Sequence, residues 1–376
     1  MDDLLAIASA ALGATLTDPV DLGGSDRSVV LRCRRAGGGT VVLKSYPRTA
    51  DGADHLAAEA AGLAFTSGAG VGPDLLAVDR TARLIVMTDL GDGPSLADLL
   101  LGESAESART ALLDWALACG RLAARTAGRQ RELAGLRNAY AADPAAGAGR
   151  GAGHWLERRI REAPDLLARL GFEPPAGLGD DLDVIAALLG PGGPEVFSPG
   201  DICPDNNLVT PRGVRFLDYE NAEFHSAFLD AAYLRMPFSS CWCVFRLPAA
   251  LAGPAEAAYR AEVGAVFPAA AGDNAWHPGV RLAMAAWTLH ATTHLLGKSV
   301  AADAPMHSGR GPAPTARQLL RYRWRRLRDE LAASGDLPAV TGLMDSLLAA
   351  TRDWRVPDLP VYPAFSPARR SGRSPA

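Results

Sequence analysis

The sequence predicts an α+β fold of two lobes. A small antiparallel sheet with one helix occupies residues 1–91, and a larger, mostly helical part occupies 92–365. Three observations predict it. Short β-branched and apolar runs separated by glycine turns crowd the first 90 residues. A turn cluster, Asp89-Leu90-Gly91-Asp92-Gly93-Pro94, then forms a hinge. Beyond it helical patterns dominate, broken by strand signal only between Val196 and Asp218.

The elements follow in order. Ser28 to Cys33 and Thr40 to Tyr46 are β-branched runs flanking Gly37-Gly38-Gly39, which predicts a hairpin. Ala53 to Ser67 is alanine-rich and helical, and Leu75 to Val78 and Leu84 to Met87 are two further strands. After the turn cluster, Ser95 to Leu101 and Ala105 to Thr126 read as helices, with Ser95 able to cap the first. Ala141 to Gly153 is rich in glycine and alanine and predicts a mobile loop, after which helical pattern resumes from His154 to Leu170. Leu208 to Thr210 and Val214 to Leu217 are joined by Pro211-Arg212-Gly213, a tight hairpin with its own turn chemistry. Ala227 to Thr351 reads as several helices, and residues 366–376 as a disordered basic tail.

Composition narrows the function classes. With 48% hydrophobic and 21% charged residues, the chain has enough apolar material for a large core and needs no covalent staples. A net charge of −4 argues against non-specific nucleic-acid binding. The five cysteines, Cys33, Cys119, Cys203, Cys241 and Cys243, are scattered without a C-x-x-C pair. Neither a zinc site nor a disulfide framework is therefore expected, and reduced thiols in a cytoplasm are the simpler reading. The acidic start, Met1-Asp2-Asp3-Leu4, is unlike a secretory leader, and no apolar run is long enough to span a bilayer.

The informative segment is Phe197-Ser198-Pro199-Gly200-Asp201-Ile202-Cys203-Pro204-Asp205-Asn206-Asn207, followed by Phe216-Leu217-Asp218-Tyr219-Glu220. It resembles the aminoglycoside phosphotransferase family, a branch of the protein kinase-like fold that includes choline and fructosamine kinases. That family's catalytic loop reads H-G-D-x-x-x-x-N, then a short hairpin, then an Asp. This chain has P-G-D-x-x-x-x-N and Asp218, 12 residues past Asn206. The resemblance implies an ATP-dependent kinase of small hydroxylated acceptors. Phosphoryl transfer needs an oriented nucleophile and neutralised phosphate charge. Asp201 has the position that accepts a hydrogen bond from the acceptor hydroxyl. Asn206 and Asp218 have the positions that hold Mg2+, a hard cation that prefers oxygen.

Upstream, Val41-Val42-Leu43-Lys44 ends a strand in the lysine that, in the family, holds the α- and β-phosphates of ATP. Glu59, the only acid between Asp54 and Asp74, would pair with it. Gly23, Gly24 and Ser25 resemble the loop that covers the phosphates, where glycines let backbone amides approach. Asp230, in Leu229-Asp230-Ala231, matches a structural Asp supporting the catalytic loop. Pro199 departs from the family's His, which anchors the loop. Proline lacks the donor and fixes φ, so stiffness would hold the loop instead. The alternative implied by Pro199 is a catalytically silent pseudokinase that binds nucleotide or a partner.

Residues 195–230 hold seven acids against two bases, Arg212 and Arg215. Asp205, Glu220 and Glu223 exceed what magnesium and a base require, and would suit a cationic or amine-bearing acceptor. The competing expectation is that arginines from 310–328 fold over to neutralise them. That segment holds seven arginines beside a helical apolar stripe, and reads as a solvated helix face. His290 and His294, one helical turn apart, read as packing residues, and Cys241-Trp242-Cys243 as a buried turn.

Overall fold

A computed structural model describes residues 2–24, 28–141, 155–238, 241–307 and 313–366. Ser25, most of the glycine/alanine-rich stretch 141–153 and residues 367–376 lie outside the described residues.

Five strands form one antiparallel sheet: β1 (Leu16–Asp21), β2 (Val29–Arg35), β3 (Thr40–Ser45), β4 (Leu75–Asp79) and β5 (Leu84–Thr88), in the order β1-β2-β3-β5-β4. Strand side chains alternate between faces. Leu31, Cys33, Val41, Leu43, Leu84 and Val86 therefore share one face, which packs on helix α1 (Asp2–Leu12) through Ala8, Leu4, Leu5 and Leu12. Val30, Arg32, Val42, Lys44 and Met87, of the opposite parity, face a cleft. Lys44 thus points inward because Leu43 must be buried on the outer core.

Helix α2 (Ala50–Thr66) begins three residues earlier than the composition suggests, because Thr49 caps it by accepting from Gly52 N at 3.2 Å. Past the turn cluster, α3 (Leu96–Leu101) opens on Ser95 in a full capping box with Asp98. Next come α4 (Ala105–Thr126) and α5 (Gln130–Tyr140). The expected helix at 154–170 is two helices, α6 (Trp155–Arg161) and α7 (Ala163–Arg169). Pro164 sits in the first turn of α7, where its missing N–H costs little, and it has no N–H to donate back into a continuous helix from α6. Helix α8 (Leu178–Leu189) follows.

Two small antiparallel ladders come next. Strand β6 (Glu195–Ser198) pairs with β9 (Glu223–Ser226), and β7 (Asn207–Thr210) pairs with β8 (Gly213–Phe216). Strand β9 lies beyond the region where strand signal was expected to end. The remaining helices are α9 (Ala227–Arg235), α10 (Ala249–Gly264), α11 (Asp273–Ala301), α12 (Ala316–Ser334) and α13 (Pro338–Ala350). Their core is aromatic, with Trp115, Tyr233, Phe238, Trp276 and Trp324 buried. Among the described residues no helix is long and apolar enough to cross a membrane.

Candidate active site

The cleft between the sheet and the helical part has a volume of about 730 Å3, and Gly23, Gly24, Lys44, Asp201, Asn206 and Asp218 all line it. Lys44 is the hub. Its Nζ lies 2.6 Å from Glu59 Oε2, 2.9 Å from Asp218 Oδ1 and 3.5 Å from Glu220 Oε2. Glu59 is fully buried on α2, and also accepts from Tyr46 OH at 2.7 Å and Tyr219 N at 3.2 Å. Burial pushes the Glu59 carboxyl up to about 7 even with Lys44 beside it. Burial opposes charge on Lys44, but Glu59 and then Asp218 outweigh it and hold its pKa well above the ordinary lysine value. Burial likewise raises Asp218, and Lys44 more than reverses this, so its pKa is lowered. Three carboxylates face one lysine here. The excess negative charge and all-oxygen donors suit a hard dication.

The β7–β8 hairpin brings Asn206 and Asp218 to the same end of one ladder. Asn207 pairs with Phe216, and Leu217 N donates to Asn206 O at 3.0 Å. Asn206 Nδ2 donates to the Asp201 carbonyl at 3.1 Å, which leaves the amide oxygen as the atom a cation would take. Next to it Asn207, fully buried, accepts from Leu96 N and donates to the Cys203 and Pro204 carbonyls. That ties the loop to the start of α3. Tyr219 is seated against α2 at Gly62, where an added Cβ would lie 2.9 Å from its ring, so a side chain there would displace the segment carrying Asp218.

The loop has an anchor despite Pro199. Gly200 has φ +91°, and an added Cβ would lie 2.1 Å from the Asn221 carbonyl oxygen. Its N–H donates to Ser198 Oγ at 3.2 Å, and Ser198 Oγ in turn reaches Asp230 Oδ1 at 3.4 Å. Asp230 also holds His225 Nε2 at 2.8 Å. Burial works against a charged His225, but Asp230 prevails and raises its pKa above the ordinary 6.5. Hydrogen bonds, rather than proline stiffness alone, hold the loop. Ser198, His225, Asn207, Tyr46 and Tyr219 were not anticipated from the sequence. Tyr46 had a readable signal, since it is two residues past Lys44 and shares its parity.

The three surplus carboxylates have internal partners. Asp205 Oδ2 accepts from Trp242 Nε1 at 2.7 Å, and Glu220 is 4% exposed against Lys44. Glu223 accepts from Trp155 Nε1 at 3.1 Å and is not among the residues lining the cleft. Asp205 and Glu220 line the cleft, so of the three acids these two are placed to meet a molecule bound there, and Glu223 is not. The arginine-rich α12 is not uniformly solvated, because Arg323 is 1% exposed and donates to the Pro237 carbonyl at 3.0 Å. Arg325 and Arg326 pair with Asp358 and Glu330, each at 2.7 Å.

No protein-family model and no curated protein matches the sequence. Solved structures do resemble it. A choline kinase from Cryptosporidium parvum is 13% identical, covers 92% of this chain and 99% of its own, and has a TM-score of 0.54. The ternary complex of APH(2")-IIa with streptomycin and ATP is 11% identical, over 80% of this chain and 94% of its own, with a TM-score of 0.51. An ethanolamine kinase from Plasmodium vivax is 13% identical, over 84% and 82%, with a TM-score of 0.50. At these identities the likeness is one of architecture: the chain has the α+β, protein kinase-like fold of the small-molecule kinases.

Proposed function

We propose that this chain transfers the γ-phosphate of ATP to a hydroxyl of a small-molecule acceptor. The observation that carries the reading is the convergence on one cleft of Lys44 from β3, Asp201 and Asn206 from the loop after β6, and Asp218 from beyond β8. The kinase-like fold supports it, and the named kinases that share the fold act on small hydroxylated compounds.

Each residue then has a task. Lys44, kept cationic by Glu59, offers its charge to the phosphates. Gly23 and Gly24 line the cleft beside it and let backbone approach the anion. Asn206 and Asp218 would hold magnesium, which when bound neutralises phosphate charge. Asp201 accepts a hydrogen bond from the acceptor hydroxyl and orients its oxygen for in-line attack. The Ser198–Asp230–His225 group keeps Gly200 and hence Asp201 in place, so Pro199 does not by itself silence the site.

The test is ADP release with magnesium and ATP across a panel of hydroxylated amines, sugars and antibiotics, with mass spectrometry of the acceptor. The reading expects ADP release stimulated by at least one acceptor, which gains one phosphoryl group. Magnesium–ATP binding without transfer to any acceptor would favour the silent pseudokinase, and absence of nucleotide binding would defeat both.

A further inference from the structure

Three of the five cysteines meet at one edge of the cleft although they are distant in sequence. Cys203 lies two residues past Asp201, and Cys241 and Cys243 lie in the segment after α9. The Cys203 and Cys241 sulfurs and an Asp205 carboxylate oxygen are all within 4.8 Å of one another. Cys243 Sγ is 2.8 Å from Cys241 Sγ. All three thiols are at most 2% exposed, yet Cys203, Asp205 and Cys241 line the cleft, which gives an ion a route in.

Phosphoryl transfer uses none of these thiols. Apolar packing accounts for one buried cysteine, as at Cys33 among the sheet's outer aliphatics. At the cleft two thiols converge instead on a carboxylate, a donor set that a borderline-soft metal cation takes. Sulfur ligands select zinc over magnesium. Zinc takes sulfur at about 2.3 Å and carboxylate oxygen at about 2.0–2.2 Å, which spaces tetrahedral ligand atoms roughly 3.5–3.8 Å apart. The 3.4 Å between Cys241 Sγ and Asp205 Oδ1 is already close to that spacing, and all three ligand atoms lie within 4.8 Å of one another.

The outer hydrogen bond that metal-ligating carboxylates need is also present. Trp242 Nε1 holds Asp205 Oδ2 at 2.7 Å, which leaves Oδ1 on the sulfur side, 3.4 Å from Cys241 Sγ. We infer that Cys203, Cys241 and Asp205 bind one zinc ion, with solvent from the cleft in the fourth position. Each thiol releases its proton to solvent as the metal binds. The site escapes any C-x-x-C search because its ligands come from two loops. It would fasten the loop carrying Asp201 and Asn206 to the 241–243 segment, and it stands whether or not the chain transfers phosphate.

The test uses the full chain, reduced and stripped with a chelator, then titrated with cobalt(II) as a spectroscopic probe. Thiolate-to-cobalt charge-transfer absorption should saturate at one equivalent and be displaced by zinc. It should vanish in Cys203→Ser and Cys241→Ser and persist in Cys33→Ala. Because the serine variants could misfold, alkylation of the wild type gives a second reading. Zinc should protect Cys203 and Cys241 from the reagent, and leave Cys119 unaffected. Equal alkylation with and without zinc, absence of the charge-transfer band in the wild type, or its persistence in both serine variants would overturn the site. So would finding Cys241 in a disulfide that reductant and zinc cannot replace.

Discussion

Lys44→Met removes the cation that contacts Glu59, Asp218 and Glu220 while keeping most of the side chain's length. Glu59 is fully buried and Glu220 is 4% exposed, so these carboxylates cannot recover solvation where they stand. Breaking a buried pair from one side costs about 3–5 kcal/mol. The upper part of that range applies here, since a 2.6 Å and a 2.9 Å contact go together. The cost must depend on pH. Glu59 titrates at about 7 with Lys44 present, against 4.5 for an ordinary glutamate, and higher without it. A carboxyl whose folded pKa is raised contributes stability present below its unfolded value and lost as pH rises through its folded value. The variant can therefore protonate Glu59 in acid and not in base. Its deficit relative to wild type should be small near pH 5 and grow to about 3–5 kcal/mol above neutrality. Urea denaturation of both proteins across this pH range measures it. A deficit below about 1 kcal/mol in alkali, or one that grows as pH falls, would refute the buried-cluster reasoning.

Two other perturbations follow from the loop anchor. Gly200→Ala puts a methyl against the Asn221 carbonyl at a positive φ, so it should cost at least about 2 kcal/mol by urea midpoint and remove turnover; wild-type behaviour would show that the loop is not held as described. His225→Gln should cost about 1.5–3 kcal/mol while the imidazole is charged. Since the His225 pKa is raised, that stability is fully present below pH 6.5 and lost as pH rises through the folded value. The gap between variant and wild type should therefore narrow in alkali, and a gap that widens there would contradict the His225–Asp230 pair.

Much of the sheet could be read because alternation is a strong constraint. Leu43 had to be buried, so Lys44 took the opposite face, where Glu59 on the buried side of α2 meets it. The β7–β8 hairpin was readable from Pro211-Arg212-Gly213, and with it the return of Asp218 towards Asn206. Local pattern was silent where partners are distant. Strand β9 exists because β6 offers it an edge, and α1 because the sheet's outer face needs cover. Asp230 was legible in Leu229-Asp230-Ala231, but its partners Ser198 and His225 were not, since the Ser198–Asp230 contact spans 32 residues. The surplus of acids was visible as a count, but the hydrogen bonds from Trp242 and Trp155 and the Lys44 ion pair that hold them were not. The cysteines illustrate the same limit, since sequence spacing argued against a metal site and tertiary structure gathers three of them.

The most direct test of the account is Asp201→Asn, measured for both magnesium–ATP binding and acceptor-dependent ADP release. Asparagine keeps the shape of the side chain and removes the anionic acceptor. Asp201 hydrogen-bonds no phosphate in the proposed mechanism, so nucleotide affinity should stay within about twofold of wild type, while turnover falls on the order of 10²–10⁴-fold. Turnover near wild type in this variant would contradict the assignment of Asp201, and with it the claim that this cleft performs phosphoryl transfer.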